Sequence, residues 1–145
     1  MKKITSIRKS VCIMANELKK AGYTLSQAFK KAWKRVKLQM VIRAAGTTFE
    51  NRQERLEFLK RFPVENLKVT LKREEGNPFD RNAIQIIVHI PEINRRTVIG
   101  YEPRKLAREL SRVIDAGVRV EAKLLEIIGG YSFKESLGAL IKITI

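Results

Sequence analysis

Arg73-Glu74-Glu75-Gly76-Asn77-Pro78-Phe79-Asp80-Arg81-Asn82-Ala83-Ile84 is the stretch on which the reading of this chain turns. It separates two segments of alternating polarity. In residues 67–72, Leu67, Val69 and Leu71 alternate with Lys68, Thr70 and Lys72; in residues 83–90 the apolar set is Ile84, Ile86, Val88 and Ile90. A period of two is the pattern of a strand with one buried face. Residues 76–80 between them are turn chemistry, because Asn-Pro starts a turn and the Asp80 carboxylate reaches the backbone two residues on. A turn has no need of Phe79. An aromatic at a loop tip, flanked by Arg73 and Arg81, suits stacking on an unpaired base while the cations hold phosphate. The other reading is a plug tucked under the sheet, and periodicity leaves the two open.

Outward from this hairpin, further strands are expected at residues 38–45, 97–99, 118–124 and 137–145. A short helix over residues 52–62 carries Leu56, Leu59 and Phe62 and stops at Pro63. A second begins at Pro103, carries Leu106, Ala107, Leu110, Val113 and Ile114, and ends at Gly117. Gly129-Gly130 falls between the last two strands and reads as their hairpin turn. The order β, α, β, β, β, α, β, β with short connections gives an α+β fold: a small, bent, antiparallel OB-like or SH3-like barrel of about six strands with two helices.

Residues 1–37 are a separate matter. Ile7, Val11, Met14, Ala15 and Leu18 recur at helical spacing up to a stop at Gly22. A second helix, capped by Thr24 or Ser26, sets Leu25, Ala28, Phe29, Ala32, Trp33 and Val36 opposite Lys30, Lys31, Lys34 and Arg35. The segment is a basic amphipathic hairpin, whose stripe either packs on the barrel or serves a nucleic acid or a partner surface. It holds eleven basic residues and one acidic residue, +10, against nineteen and fourteen, +5, in residues 38–145. The domains are therefore set at 1–37 and 38–145.

The whole chain, 145 residues with a charge of +15, has 44% hydrophobic residues and so enough apolar side chains for a core. Its charge favours a polyanionic partner. Cys12 is the only cysteine and His89 the only histidine, which excludes internal disulfides and cysteine- or histidine-built metal sites and leaves a cytoplasmic setting expected. Cys12 reads as packing and His89 as a surface residue. No apolar run suits a signal peptide or membrane span. No Walker loop, GxGxxG, HExxH or GxSxG is present, and the neighbours Glu74-Glu75 point apart on a strand end, so no catalytic residue, metal or cofactor is expected.

Together with Ala45-Gly46-Thr47-Thr48-Phe49 before it and Ile99-Gly100-Tyr101-Glu102-Pro103-Arg104-Lys105-Leu106-Ala107 after it, the opening stretch resembles the HIRAN domain, over roughly residues 40–145. The resemblance implies an OB-like barrel with two helices, appended to Snf-type DNA translocases such as helicase-like transcription factor or standing alone in bacteria and their phages. In eukaryotic members it binds single-stranded DNA at a 3′-hydroxyl end. Carried over residue by residue, it makes Phe49 and Phe79 the aromatics that sandwich the terminal base, without the tyrosine hydroxyls of the translocase members. Asp80 is the acceptor from the terminal hydroxyl, and Tyr101 and Arg104 meet phosphates. Thr48 stands where an arginine is expected, and the resemblance leaves open whether Asn51 or Arg52 replaces it. With Arg73 beside the turn, the nucleic-acid residues are then Thr48, Phe49, Arg52, Arg73, Phe79, Asp80, Tyr101 and Arg104. Asn77 and Asn82 fix the loop.

The function expected is a non-catalytic module holding single-stranded DNA or DNA ends, in repair, replication or mobile-element DNA processing, with DNA-processing proteins as further partners. The alternatives are an adaptor docking through its basic hairpin, and a metal-dependent nuclease using Asp80 with Glu74 or Glu75.

Overall fold

The structure, a computed structural model, describes the backbone of residues 2–35, 39–131 and 134–145 and the side chains of 8–32, 39–130 and 136–145. Two helices, α1 (Lys2–Lys20) and α2 (Leu25–Arg35), precede β1 (Gln39–Arg43), α3 (Arg52–Leu59), β2 (Lys68–Arg73), β3 (Ile84–Ile90), β4 (Arg95–Tyr101), α4 (Arg104–Asp115), β5 (Glu121–Tyr131) and β6 (Lys134–Thr144). The strands form one antiparallel sheet in the order β1-β6-β5-β2-β3-β4. This is the bent α+β barrel that the alternating segments specify.

The strand pattern does what its period requires. Ile84, Ile86, Val88 and Ile90 of β3 are buried while Gln85, Ile87 and His89 are only half-buried. They join Leu124, Ile141 and Ile143 from β5 and β6, Leu56 and Leu59 from α3, and Leu106, Ala107 and Leu110 from α4 in a single core. His89 stays at the surface, its Nε2 3.4 Å from Asn94 Oδ1.

The two edge strands of this sheet meet at one point. Ala45, just past β1, and Tyr101, the last residue of β4, exchange both backbone hydrogen bonds, 2.8 and 2.9 Å, as an isolated antiparallel bridge. The approach is close because residue 100 is glycine. A Cβ there would lie 2.6 Å from the carbonyl oxygen of Ala45. Closure also satisfies backbone groups that an open sheet edge leaves unpaired.

Several boundaries differ from the sequence reading. α3 ends at Leu59 rather than 62, since Pro63 disfavours helical backbone in the residue before it and Lys60 to Phe62 turn out of the helix. β4 is longer than residues 97–99, because an edge strand carrying Arg95, Arg96 and Gly100 shows little alternation. β5 begins at Glu121, not 118: Val118 and Val120 pack against the N-terminal hairpin instead. The Gly129-Gly130 turn is a correction. Both glycines lie inside β5 with φ of 91° and 75°, where the register with β6 shifts, and a Cβ on Gly129 would lie 2.1 Å from the Ser136 carbonyl oxygen. They form a bulge against the neighbouring strand, and the connection itself, residues 132 and 133, lies outside the described residues.

The hairpin of α1 and α2 is capped by Thr24. Its Oγ1 accepts from Gln27 N while Gln27 Oε1 accepts from Thr24 N, both at 3.2 Å, a reciprocal capping box. Val11, Ala15, Ala28 and Ala32 are buried together with Val113 of α4, and Val118, Val120 and Ile145 pack around them. Arg8 of α1 forms an ion pair with Glu109 of α4. Of the described stripe, Val11, Met14, Ala15, Leu18, Ala28, Phe29 and Ala32 thus pack on the barrel, while Leu25 is exposed. Cys12 is exposed rather than packed; the side chain of Trp33 and residues 36–38 lie outside the described residues. No helix among the described residues is long and apolar enough to cross a membrane.

If the close approach at residue 100 closes the barrel, Gly100→Ala forces the bridge apart and costs about 1–3 kcal/mol as overpacking does. Chemical denaturation of the variant should show this loss, together with faster exchange of the Ala45 and Tyr101 amide protons.

Candidate nucleic-acid interface

The closing bridge brings three segments of the sequence to one end of the barrel: the turn after β1, the β2–β3 loop, and the junction of β4 with α4. Between them runs an open cleft of about 800 Å³.

The β2–β3 loop is built by its own side chains. Asn77 Oδ1 accepts from the backbone N–H of Phe79 (2.8 Å) and Asp80 (3.0 Å), and Asp80 Oδ1 accepts from Asn82 N at 2.9 Å. These Asx bonds replace the ladder that the turn interrupts. Asn77 Nδ2 also donates to Glu74 Oε2 at 2.8 Å. With backbone and polar groups satisfied this way, Phe79 has no seat under the sheet. It is 84% exposed, which settles the alternatives left by periodicity in favour of a displayed ring.

Across the cleft, Gly46 turns the chain with φ of 69°. Phe49 follows, 67% exposed. Arg52, the first residue of α3, folds back under this turn. Its Nη1 donates to Gly46 O at 2.7 Å, its guanidinium lies 4.9 Å from the centre of the Tyr101 ring, and Nη2 stands 3.7 Å from Glu50. A Cβ on Gly46 would come within 3.2 Å of Arg52 Nη1, so glycine serves both the turn and the arginine.

On the β4 side, burial raises the Tyr101 phenol above its ordinary value of 10.0, with a hydrogen bond to Glu74 as the next cause, so the hydroxyl stays protonated. Arg104 opens α4, its Nη2 donating to Phe79 O at 2.5 Å and its Nε 3.9 Å from Asp80 Oδ2. Asp80 therefore keeps one oxygen on its own loop and turns the other toward Arg104.

Phe49, Arg52, Phe79, Asp80, Tyr101 and Arg104 all line this cleft. The two other residues named from sequence do not. Thr48 is exposed outside the lining. Arg73 is drawn away: its guanidinium bonds Asp115 of α4 at 3.1 Å and the carbonyls of Arg81 and Ala83 at 3.1 and 3.3 Å. It holds the base of the loop against α4. Glu74, read earlier only as half of an unpromising pair, links Asn77 to Tyr101.

Glu102 is the residue that pattern reading passed over. It is 3% exposed, and neither carboxylate oxygen has a hydrogen-bond partner. Burial pushes its pKa up to about 8. The neighbour before Pro103 looks like a surface position in the sequence, yet the structure buries it in the wall of the cleft. At neutral pH it is protonated, and the wall of the cleft carries no charge there. No group of three or more histidine, cysteine or acidic side chains able to hold a metal occurs among the described residues.

A curled antiparallel barrel whose loops display two aromatics beside cations is the architecture of an oligonucleotide-binding module. The HIRAN domain model matches residues 41–137, and the chain belongs to that family. It is accordingly a nucleic-acid-binding, DNA-binding module. A crystal structure of a protein from Lactobacillus plantarum is similar at a TM-score of 0.50 and 20% identity, covering 75% of this chain and 96% of that one, which supports the fold. Comparison with curated proteins gives no match.

The isolation of Glu102 has a measurable sign. Between pH 4.5 and about 8 the folded chain holds a proton that the unfolded chain has released. Stability therefore falls as pH rises through that window, by at most about 1.4 kcal/mol per unit, and levels off above it. Glu102→Gln should flatten this part of the profile. Thermal melts at pH 5 and pH 8 are expected to show the variant more stable than wild type at pH 8 and close to it at pH 5; parallel profiles would mean the carboxyl has found a partner.

Proposed function

We propose that the cleft holds the end of a single DNA strand, with the terminal base between Phe49 and Phe79 and the terminal 3′-hydroxyl donating to Asp80. The observation that carries this is the pair of large aromatic rings, from two separate loops, left in solvent along one cleft. Exposing a phenylalanine wastes burial unless a ligand covers it, and base stacking returns about 1–3 kcal/mol per base. Phenylalanine stacks as tyrosine does, so the missing hydroxyls remove polar contacts and leave the sandwich.

Asp80 suits the hydroxyl because an ionised carboxylate only accepts hydrogen bonds. Arg104, held by Phe79 O and facing Asp80, is positioned to receive the adjoining phosphate. Arg52 stands where the turn after β1 lacks its arginine at Thr48; its guanidinium braces Gly46 and Tyr101, so its role is to fix that turn as much as to meet phosphate. The protonated Glu102 spares the phosphates a buried negative charge.

The non-catalytic reading rests on how the carboxylates are committed. Glu74 accepts from Asn77 and Tyr101, Asp80 from Asn82 while facing Arg104, Glu102 is neutral, and Glu50 lies beside Arg52. Among the described residues, each carboxylate lining the cleft is thus already held or neutral, and Glu75 stands outside the lining, which speaks against the convergent carboxylates that phosphodiester cleavage by two metals requires. A grip on strand ends fits service at breaks, gaps and replication ends.

Fluorescence anisotropy with a short strand ending in 3′-hydroxyl, the same strand ending in 3′-phosphate, and a blunt duplex tests the reading. The hydroxyl end is expected to bind tightest. Phe79→Ala should cost about 1–3 kcal/mol of affinity, and Asp80→Ala should abolish the preference for the hydroxyl over the phosphate. Equal, salt-steep binding of all three ligands, unchanged in both variants, overturns it.

A further inference from the structure

The outer face of α4 carries arginines at every fourth position, Arg104, Arg108 and Arg112, all exposed. Four residues advance the helix by about 6 Å and turn it by about 40°. The row is therefore about 12 Å long and slants around the helix. Its two ends are fixed by the structure. Arg104 lines the cleft, whereas Arg112 lines a hollow shared with Arg8, Cys12 and Phe29 of the N-terminal hairpin. The drift carries the row from one to the other.

Opposite charge has been cleared from its path. The two carboxylates of α4 are both engaged, Glu109 by Arg8 and Asp115 by Arg73. Among the described residues, neither Arg108 nor Arg112 has a carboxylate within ion-pair distance. The Arg8–Glu109 pair and the buried contacts with Val113 also lock the hairpin against α4, so its exposed lysines stand in a defined place. Lys30 lies against Gly117, at the far end of the helix.

The geometry points to a phosphate track. The strand whose 3′ end is held in the cleft leaves along Arg104, Arg108 and Arg112, and its nucleotides further toward the 5′ end run onto the +10 hairpin. This inference rests on the cleft reading above and adds a direction and a second contact surface to it. A guanidinium every ~6 Å is of the order of the spacing between successive phosphates in an extended strand. Such contacts carry no sequence information but supply the electrostatic part of affinity, each releasing counterions. The track accounts for the strong asymmetry of charge: stacking in the cleft holds the end, and the hairpin supplies attraction beyond what the cleft's two arginines, Arg52 and Arg104, provide.

The experiment uses the full chain and two strands sharing one 3′-hydroxyl end, three and twelve nucleotides long. The short strand is titrated by NMR, which reads millimolar binding, and the long one by anisotropy across a salt series. The twelve-mer is expected to bind at least about tenfold tighter at low salt. The Arg108→Ala, Arg112→Ala double variant should lose about tenfold on the twelve-mer, with its salt slope lowered by about 1.4, and lose clearly less on the three-mer, whose two phosphates reach no further than Arg108. Both residues are exposed, so its melting temperature should match; Arg108→Lys with Arg112→Lys should restore the slope. Equal affinity for the two strands, or an unaffected twelve-mer in the alanine variant, overturns the track and leaves the cleft standing. A duplex that competes as well as the twelve-mer overturns a single-strand track. Binding of the twelve-mer without any response from the three-mer overturns the cleft reading and the track that starts from it.

Discussion

Two backbone hydrogen bonds between Ala45 and Tyr101 close the barrel, and the cleft exists because of them. Before closure, the turn after β1 and the β4–α4 junction belong to opposite edges of the sheet. After it, Phe49 and Arg52 from the turn and Tyr101, Glu102 and Arg104 from the junction line one cleft. The bridge depends on a missing side chain at Gly100, and the cleft it creates depends on a second glycine, Gly46, whose positive φ turns the chain under Arg52. Backbone permissiveness at two points thus decides where aromatic and charged side chains meet.

The β2–β3 loop shows how an exposed aromatic is kept in place. Displaying Phe79 forfeits its burial, and a floppy tip would lose further free energy when it ordered on a ligand. Asn77, Asp80, Glu74 and Arg104 fix the backbone on both sides of the ring in the unliganded chain. Arg73 adds a tie to Asp115. A loop ordered before binding leaves more of the stacking energy for the ligand.

Charge is arranged at a larger scale. The barrel carries acidic and basic residues in near balance, while the hairpin is almost wholly basic. Docking the hairpin through Val11, Ala15, Ala28 and Ala32 on α4 turns an electrostatic excess into a surface with an orientation. The same helix lends Arg104 to the cleft, so α4 joins the stacking site to the basic surface.

Local chemistry was legible in the sequence. Period-two alternation marked β2 and β3, the stripe with Pro103 and Gly117 marked α4, and Thr24 stood ready as a cap; the turn residues announced a loop that bonds its own backbone. Near neighbours decide those features. Partner and burial were not legible, because distant segments decide them. Arg8 finds Glu109 across 101 residues and Arg73 finds Asp115 across 42, and neither spacing leaves a local signal. The alternation around Gly129-Gly130 ends as a turn would, yet the close approach of β6 makes it a bulge. Glu102 looks solvated yet is buried in the wall of the cleft, and Phe79 looks equally suited to core or solvent until the loop is fully bonded around it. The chain's sequence therefore determined the strands, helices, turn chemistry and basic hairpin through contacts a few residues apart. Tertiary structure decided which side chains share a cleft, which carboxyl group is buried alone and which arginines face solvent, because those depend on surfaces brought together only when the barrel closes.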